Sequence, residues 1–269
     1  MKDIKFSTIA KACKTVGVSY LGGVSLSAKM VKNEKVGVMT YSINLSPAET
    51  SGYDVCSHST AECRSGCLAT SGHAKMDIQS GKTIISDARI KKTRLFFENQ
   101  EFFMEWLIAE LLKYRKQAIK KGMVFSARLN TISDIDWANV RTLGGSNIFE
   151  LFSTVQFYDY TKNPNKFVGK PENYHLTFSF TGRNWIACNT LLKRGENIAM
   201  VFNVNKVEDL PKTYKGFKVI NGDETDYRPN DEKGVIVGLK WKRIADKVAE
   251  AQVRQSMFVV QPLDVNCGY

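Results

Sequence analysis

A chain of 269 residues with 43% hydrophobic and 24% charged residues can bury a full core, which excludes a disordered polar chain. No run of about eighteen apolar residues occurs, and the start Met1-Lys2-Asp3-Ile4-Lys5-Phe6 lacks the apolar stretch of a signal peptide. A soluble protein of the cytoplasm with no membrane partner is therefore expected. The formal charge of +11, from 38 basic and 27 acidic residues, favours a nucleotide or nucleic-acid partner through phosphate attraction, although lysines that merely solvate helix faces would give the same balance.

Along the chain, residues 1–35 are interrupted by Gly17, Gly22 and Gly23 and read as an extension packed on the core. Residues 36–269 carry no linker, repeat or low-complexity tract and read as a single α/β domain. Val36–Asn44 is rich in β-branched and aromatic residues, as a strand requires, and Ser46-Pro47 closes it. A helix is expected over Ile84–Phe97. A second carries the apolar stripe Phe102, Phe103, Trp106, Leu107, Leu111, with Asn99 as its cap and Gly122 as its stop. Five short apolar runs follow, at Met123–Leu129, Phe152–Phe157, His175–Phe180, Asn197–Phe202 and Gly234–Leu239. Helical patterns lie between some of them, at Asp136–Leu143 and Trp185–Arg194, whereas Thr161–Asn173, with Pro164 and Pro171, reads as loop. Strands alternating with helices argue for parallel pairing with right-handed crossovers. The expected fold is thus α/β, a partial, open β/α barrel of about six mainly parallel strands, with ligand groups at the strand carboxyl ends.

Between the first strand and the first long helix stand Cys56, Cys63 and Cys67, spaced C-x6-C-x3-C. Half of the six cysteines fall in these twelve residues, and in a reducing compartment clustered thiols bind metal more often than they form disulfides. Three thiolates suit a [4Fe–4S] cluster with one open iron. With His58 or His73 they would instead close a four-ligand zinc site, although no tight C-x2-C pair is present. Ordinary reduced thiols are the third reading, and spacing alone leaves all three open. The isolated Cys13, Cys188 and Cys267 read as buried thiols.

Polar residues crowd the predicted strand ends. Arg128, Asn130, Ser133 and Asp134 follow one strand and are candidates for holding a cofactor. Tyr158, Asp159, Ser179, Asn203, Asp223, Asp226, Arg228 and Lys240 occupy other ends and are candidates for substrate. Carboxylate, guanidinium and amide groups of this kind bind ribose hydroxyls, phosphates or amino-acid moieties. Each cluster taken alone also suits a helix cap or a turn, such as Asn221-Gly222. The three histidines present no clear general base, and neither Gly-x-Ser-x-Gly nor a Walker-type loop occurs.

Strand, three-cysteine loop and helix at the start of an α/β pattern resemble the radical S-adenosylmethionine enzymes. That resemblance implies an iron–sulfur cluster on Cys56, Cys63 and Cys67, with S-adenosylmethionine bound at the open iron. The chain departs from their usual C-x3-C-x2-C spacing, has Gly66 where an aromatic commonly precedes the third cysteine, and lacks a Gly-Gly-Glu after the second strand. A second resemblance runs through residues 16–262. Ser46-Pro47-Ala48, the cysteine loop with Ser71-Gly72, the stretch from Ala88 to Phe96, Arg128-Leu129-Asn130 with Ser133-Asp134-Ile135, and Asn221-Gly222-Asp223 occur in that order. This set resembles the bacteriophage gene-product-88-like family, which implies a phage protein working in an infected bacterium. Thr131 stands where that family usually has glycine.

Overall fold

The computed structural model describes residues 7–24, 26 and 28–261, without the side chains at positions 7, 8, 28, 29 and 73. Its helices, in chain order, are α1 Ser7–Val16, α2 Ala28–Asn33, α3 Ala61–Ser65, α4 His73–Gln79, α5 Ile84–Glu98 and α6 Gln100–Lys120. They continue with α7 Ile148–Leu151, α8 Trp185–Lys193 and α9 Lys247–Arg254. The strands are β1 Gly22–Gly23, β2 Val38–Ile43, β3 Val124–Arg128, β4 Gln156–Thr161 and β5 Tyr174–Ser179. Then come β6 Asn197–Phe202, β7 Thr213–Tyr214, β8 Phe217–Asn221, β9 Ile236–Lys240 and β10 Val259–Val260.

The chain is mixed α/β and mainly parallel, as expected. Each of the six expected strands is present, as β2, β3, β4, β5, β6 and β9. Only β4 is displaced, because Phe152 closes α7 (N to Ile148 O, 3.1 Å) and the turn after it delays the strand to Gln156. The count of about six is corrected to ten among the described residues. The additional strands are β1, β7 and β10, of two residues each, and β8, whose half-exposed Phe-Lys-Val-Ile-Asn lacks a continuous apolar run. The helix expected over Asp136–Leu143 is corrected to a single 3-10 turn, Trp137–Asn139. There the Trp137 indole is fully buried and donates to Asn130 Oδ1 (3.2 Å), which draws the chain inward before a second turn can form.

Two compact units share the chain. The first takes Met1–Ser57, Thr83–Asp159 and Gly169–His175. Its strands run in the linear order β1-β2-β3-β4, antiparallel at β1–β2 and parallel after it. All six residues of β2 are buried, as suits a parallel strand covered on both faces. Phe96, Phe103 and Trp137 pack ring against ring in its core, with centroids 5.2–6.3 Å apart. Asn99 caps α6 by accepting from Phe102 N (3.2 Å), and Gly122, at φ +66°, ends the turn beyond it. Helix α1 lies against α5 and α6.

The second unit takes His58–Lys82, Tyr160–Val168 and Leu176–Tyr269. Its strands run β5-β6-β9-β8-β7, parallel except for the β7–β8 hairpin, and β10 lies along the carboxyl half of β6. Phe178, Leu191, Ile198, Met200, Phe202 and Ile236 form its core. Because β5, β6, β9 and β8 are parallel, their carboxyl ends share one edge. No helix among the described residues is long and apolar enough to cross a membrane.

Candidate functional site

In the first unit the cysteine loop begins beside the end of β3. Asp134 N donates to Val55 O (2.7 Å), and the Cys56 thiol points at Ile132 O (3.8 Å). Cys56 N is held by Asp54 Oδ1 at 2.7 Å. Cys56 therefore lies beside the segment that follows β3. Thr131 uses its hydroxyl to tie this segment to the end of β2, donating to Asn44 Oδ1 (2.6 Å) and Ile43 O. That bond is what the threonine contributes where a glycine is usual.

The polar cluster here is mostly turned on itself. Asn130 Oδ1 accepts from Ser133 Oγ (2.9 Å), Ile135 N (2.9 Å) and Trp137 Nε1 (3.2 Å), while its Nδ2 donates to Ile135 O (2.9 Å). Buried Asp159 accepts from Asn130 N (2.7 Å) and from the Tyr174 hydroxyl (2.9 Å). Burial, and then the Asp159 charge, raise the Tyr174 phenol well above its ordinary range, so it stays a donor. Asn130, Ser133 and Asp159 thus brace the strand end, and Arg128 and Asp134 stand beside them. Tyr158 is not brought to this group. Neighbouring residues on a strand face opposite sides, and its hydroxyl meets Asn33 Nδ2 at 2.9 Å instead.

In the second unit, Cys63 and Cys67 flank the end of α3. Thr60 caps that helix by accepting from Cys63 N (3.2 Å), and a 3-10 turn starts after Cys67. Two contacts dock α3 at the strand carboxyl edge. Arg183, just beyond β5, reaches Glu62 (3.8 Å). Trp241, just beyond β9, lies so close that a Cβ on Gly66 would sit 3.7 Å from its ring and 3.0 Å from Val253. An indole from beyond β9 thus lies beside Gly66. Glu250 fixes that indole, accepting from Trp241 Nε1 (3.1 Å) and from Ile244 N (3.2 Å).

The same edge gathers several expected residues. Asp223 accepts from Lys240 N (3.0 Å) and pairs with Lys242 (3.4 Å). Asn203 accepts from both Arg254 Nε (3.0 Å) and a terminal Arg254 nitrogen (2.7 Å) and donates to Gln261 Oε1 (2.7 Å). Ser179 gives its carbonyl to Asn184 Nδ2 (3.0 Å). Asp226 and Arg228 are buried elsewhere, on the crossover between β8 and β9, where Arg228 pairs with Asp231 (3.1 Å).

Sequence reasoning passed over Trp241 as a covering group, and also Glu110 and Lys92. A lone acid in the apolar stripe of α6 was the available signal for Glu110. Its carboxylate accepts from Leu21 N (3.1 Å), Gly22 N (2.8 Å), Trp106 Nε1 (3.0 Å) and Tyr41 Oη (2.6 Å), which pins β1 to α6. Lys92 donates to Leu21 O (3.0 Å), and burial lowers its ammonium to about 8.

Cys56, Cys63 and Cys67 are all half-buried and outside any disulfide. By donor chemistry the set fits a thiolate-seeking metal. Among the described residues no three His, Cys, Asp or Glu side chains are already grouped as a metal site, so the ligand set rests on their spacing along the chain. His58 is exposed, and the side chain of His73 lies outside the described residues. Cys188 is buried, as expected, and its thiol is pushed up to about 12 by burial. Cys13 is corrected from buried to half-buried, its thiol donating to Ser19 O (3.3 Å). Cys267 lies outside the described residues.

These features define a mixed α/β protein with reduced cysteines and polar loops at the carboxyl ends of parallel strands. The family model for gene product 88 matches residues 21–256, and the chain belongs to that family. No curated protein and no solved structure matches it.

Proposed function

We propose that Cys56, Cys63 and Cys67 ligate a [4Fe–4S] cluster in a radical S-adenosylmethionine-like enzyme, built on a partial β/α barrel and acting on a nucleotide, nucleic acid or other small substrate. One observation carries the reading. Cys63, inside α3, and Cys67, just beyond its end, are half-exposed and outside any disulfide on a helix docked at the carboxyl edge of parallel strands, where α/β proteins keep their ligands. Such a cluster, with S-adenosylmethionine bound, supplies one-electron chemistry for hydrogen abstraction. The protein's own residues orient and shield. Trp241 and Val253 pack against the Gly66 side of the loop. Arg128, Asp134, Ser179, Asp223 and Lys240 are the strand-end groups that would contact cofactor and substrate, while Asn130 and Ser133 hold the β3 loop in shape.

The test is iron, sulfide and zinc content of anaerobically purified protein, with its visible spectrum. About four irons per chain and a broad brown band near 400 nm are expected, lost in Cys63→Ser and kept in Cys188→Ser. One zinc and no iron would replace this reading with the alternative, a zinc-stabilised phage protein that binds nucleic acid or a host factor without catalysis.

A further inference from the structure

The first unit carries a feature that the cysteine loop does not use. A cleft of about 370 Å³ opens between α1, the β1 segment and α6, lined by Ile9, Ser19, Tyr20, Val24, Lys113 and Tyr114 among others. Its size falls within the range of small-ligand clefts. Two aromatic rings stand in it, each with a cation above: Lys92 Nζ lies 5.3 Å from the Tyr20 centroid and Lys113 Nζ lies 5.0 Å from that of Tyr114. Tyr20 keeps 46% of its surface exposed.

Helix α1 and the part of α6 beyond Glu110 carry one sign of charge. From Lys113 to Lys121, α6 and its cap hold five basic residues and no acidic one. Lys113, Lys116 and Lys120 repeat at i, i+3, i+7 and are exposed, so they line one face. Helix α1 holds no acidic residue and exposes Lys11 and Lys14. The one acid among the residues that line the cleft, Glu110, is 2% exposed and accepts four hydrogen bonds, so it does not cancel this face.

We infer that the α1–α6 cleft is a binding site for single-stranded nucleic acid, with an unpaired base stacked on Tyr20 and phosphates on Lys113, Lys116 and Lys120. A cation row beside exposed aromatic rings is the combination that single strands use, the row tracking the backbone and the rings taking bases of any sequence. A duplex keeps its bases stacked inside and cannot use the ring. An acidic protein or an anionic lipid surface would need the charges but not the cleft. The inference holds whether the cysteine loop takes iron, zinc or neither.

Fluorescence anisotropy with a labelled mixed-sequence single-stranded oligonucleotide tests it on the full-length protein. Tyr20→Ala weakens binding about tenfold, the loss expected for one stacked base. Lys113→Gln, Lys116→Gln and Lys120→Gln together weaken it further and make the salt dependence shallower by about 2 in log–log slope, roughly 0.7 for each phosphate no longer neutralised. Lys215→Gln with Lys218→Gln, in the second unit, leaves it unchanged. Circular dichroism on each variant separates lost binding from lost fold. Equal affinity for duplex and single strand, unchanged binding in Tyr20→Ala, or binding to phosphatidylserine vesicles with none to the oligonucleotide would each overturn the inference.

Discussion

Among single residues, Asp231 shows how a buried charge pair responds to pH. Its carboxylate lies 3.1 Å from the Arg228 guanidinium, and the two side chains are 12% and 1% exposed. Burial raises the Asp231 carboxyl from 3.8 to about 6, with Arg228 opposing the rise and Asp226 adding to it. The folded form therefore keeps a proton that the unfolded chain releases at lower pH. The sign follows. This contribution to stability is fully present below about pH 4 and is lost as pH climbs through about 6, a change of at most about 3 kcal/mol. Denaturation midpoints should fall between pH 4 and pH 6, and Asp231→Asn should flatten that part of the profile. A wild-type curve that rises by the same amount over that window would mean that the Arg228 pairing outweighs burial.

Among the elements, two glycines test how closely loops approach one another at the strand ends. Gly182, after β5, has φ +91°, and a Cβ there would lie 2.5 Å from the Met257 backbone. Gly66, after α3, has φ −89°, and its tightest side-chain neighbour is the Val253 methyl at 3.0 Å. A side chain can rotate away and a backbone cannot. Gly182→Ala should therefore cost at least ~2 kcal/mol, from left-handed strain and overpacking together. Gly66→Ala should cost about 1 kcal/mol, because Val253 can shift and the Glu62 carbonyl, 3.1 Å away, need give only slightly. Urea midpoints at constant slope would rank the two. A larger loss at Gly66 would mean that α3 is held against α9 more rigidly than side-chain packing requires.

At the scale of the whole molecule, the strands that could be read in the sequence were those long enough to bury a continuous apolar run, as Asn197–Phe202 does in β6. Strands of two residues, such as β1 and β10, exist only because distant partners hold them. Glu110 pins β1 from α6, and β10 pairs with the end of β6. The division into two units was not legible either, since each gathers three separate stretches of chain. The site divides in the same way. Spacing singled out the cysteines as candidates and a strand end singled out Asp223, whereas Trp241 lies beside Gly66 through a contact 175 positions away in sequence. Net charge is legible from composition alone, and it carries the last prediction. At +11 the folded chain repels itself, since its 38 basic residues outnumber its 27 acidic ones even with pairs such as Lys218–Glu232 (2.6 Å) and Arg141–Glu150 (3.2 Å) formed. Sodium chloride from about 20 to about 200 mM shortens the screening length from roughly 20 to roughly 7 Å, which removes repulsion between separated lysines but leaves contact pairs largely intact. The melting temperature should therefore rise by about 2–4 °C, equivalent to roughly 1 kcal/mol in a chain of this size. The gain should shrink in Lys113→Gln/Lys116→Gln/Lys120→Gln, which relieves the exposed basic face of α6. A melting temperature that falls with salt would show instead that paired charges stabilise the fold more than the excess of cations weakens it.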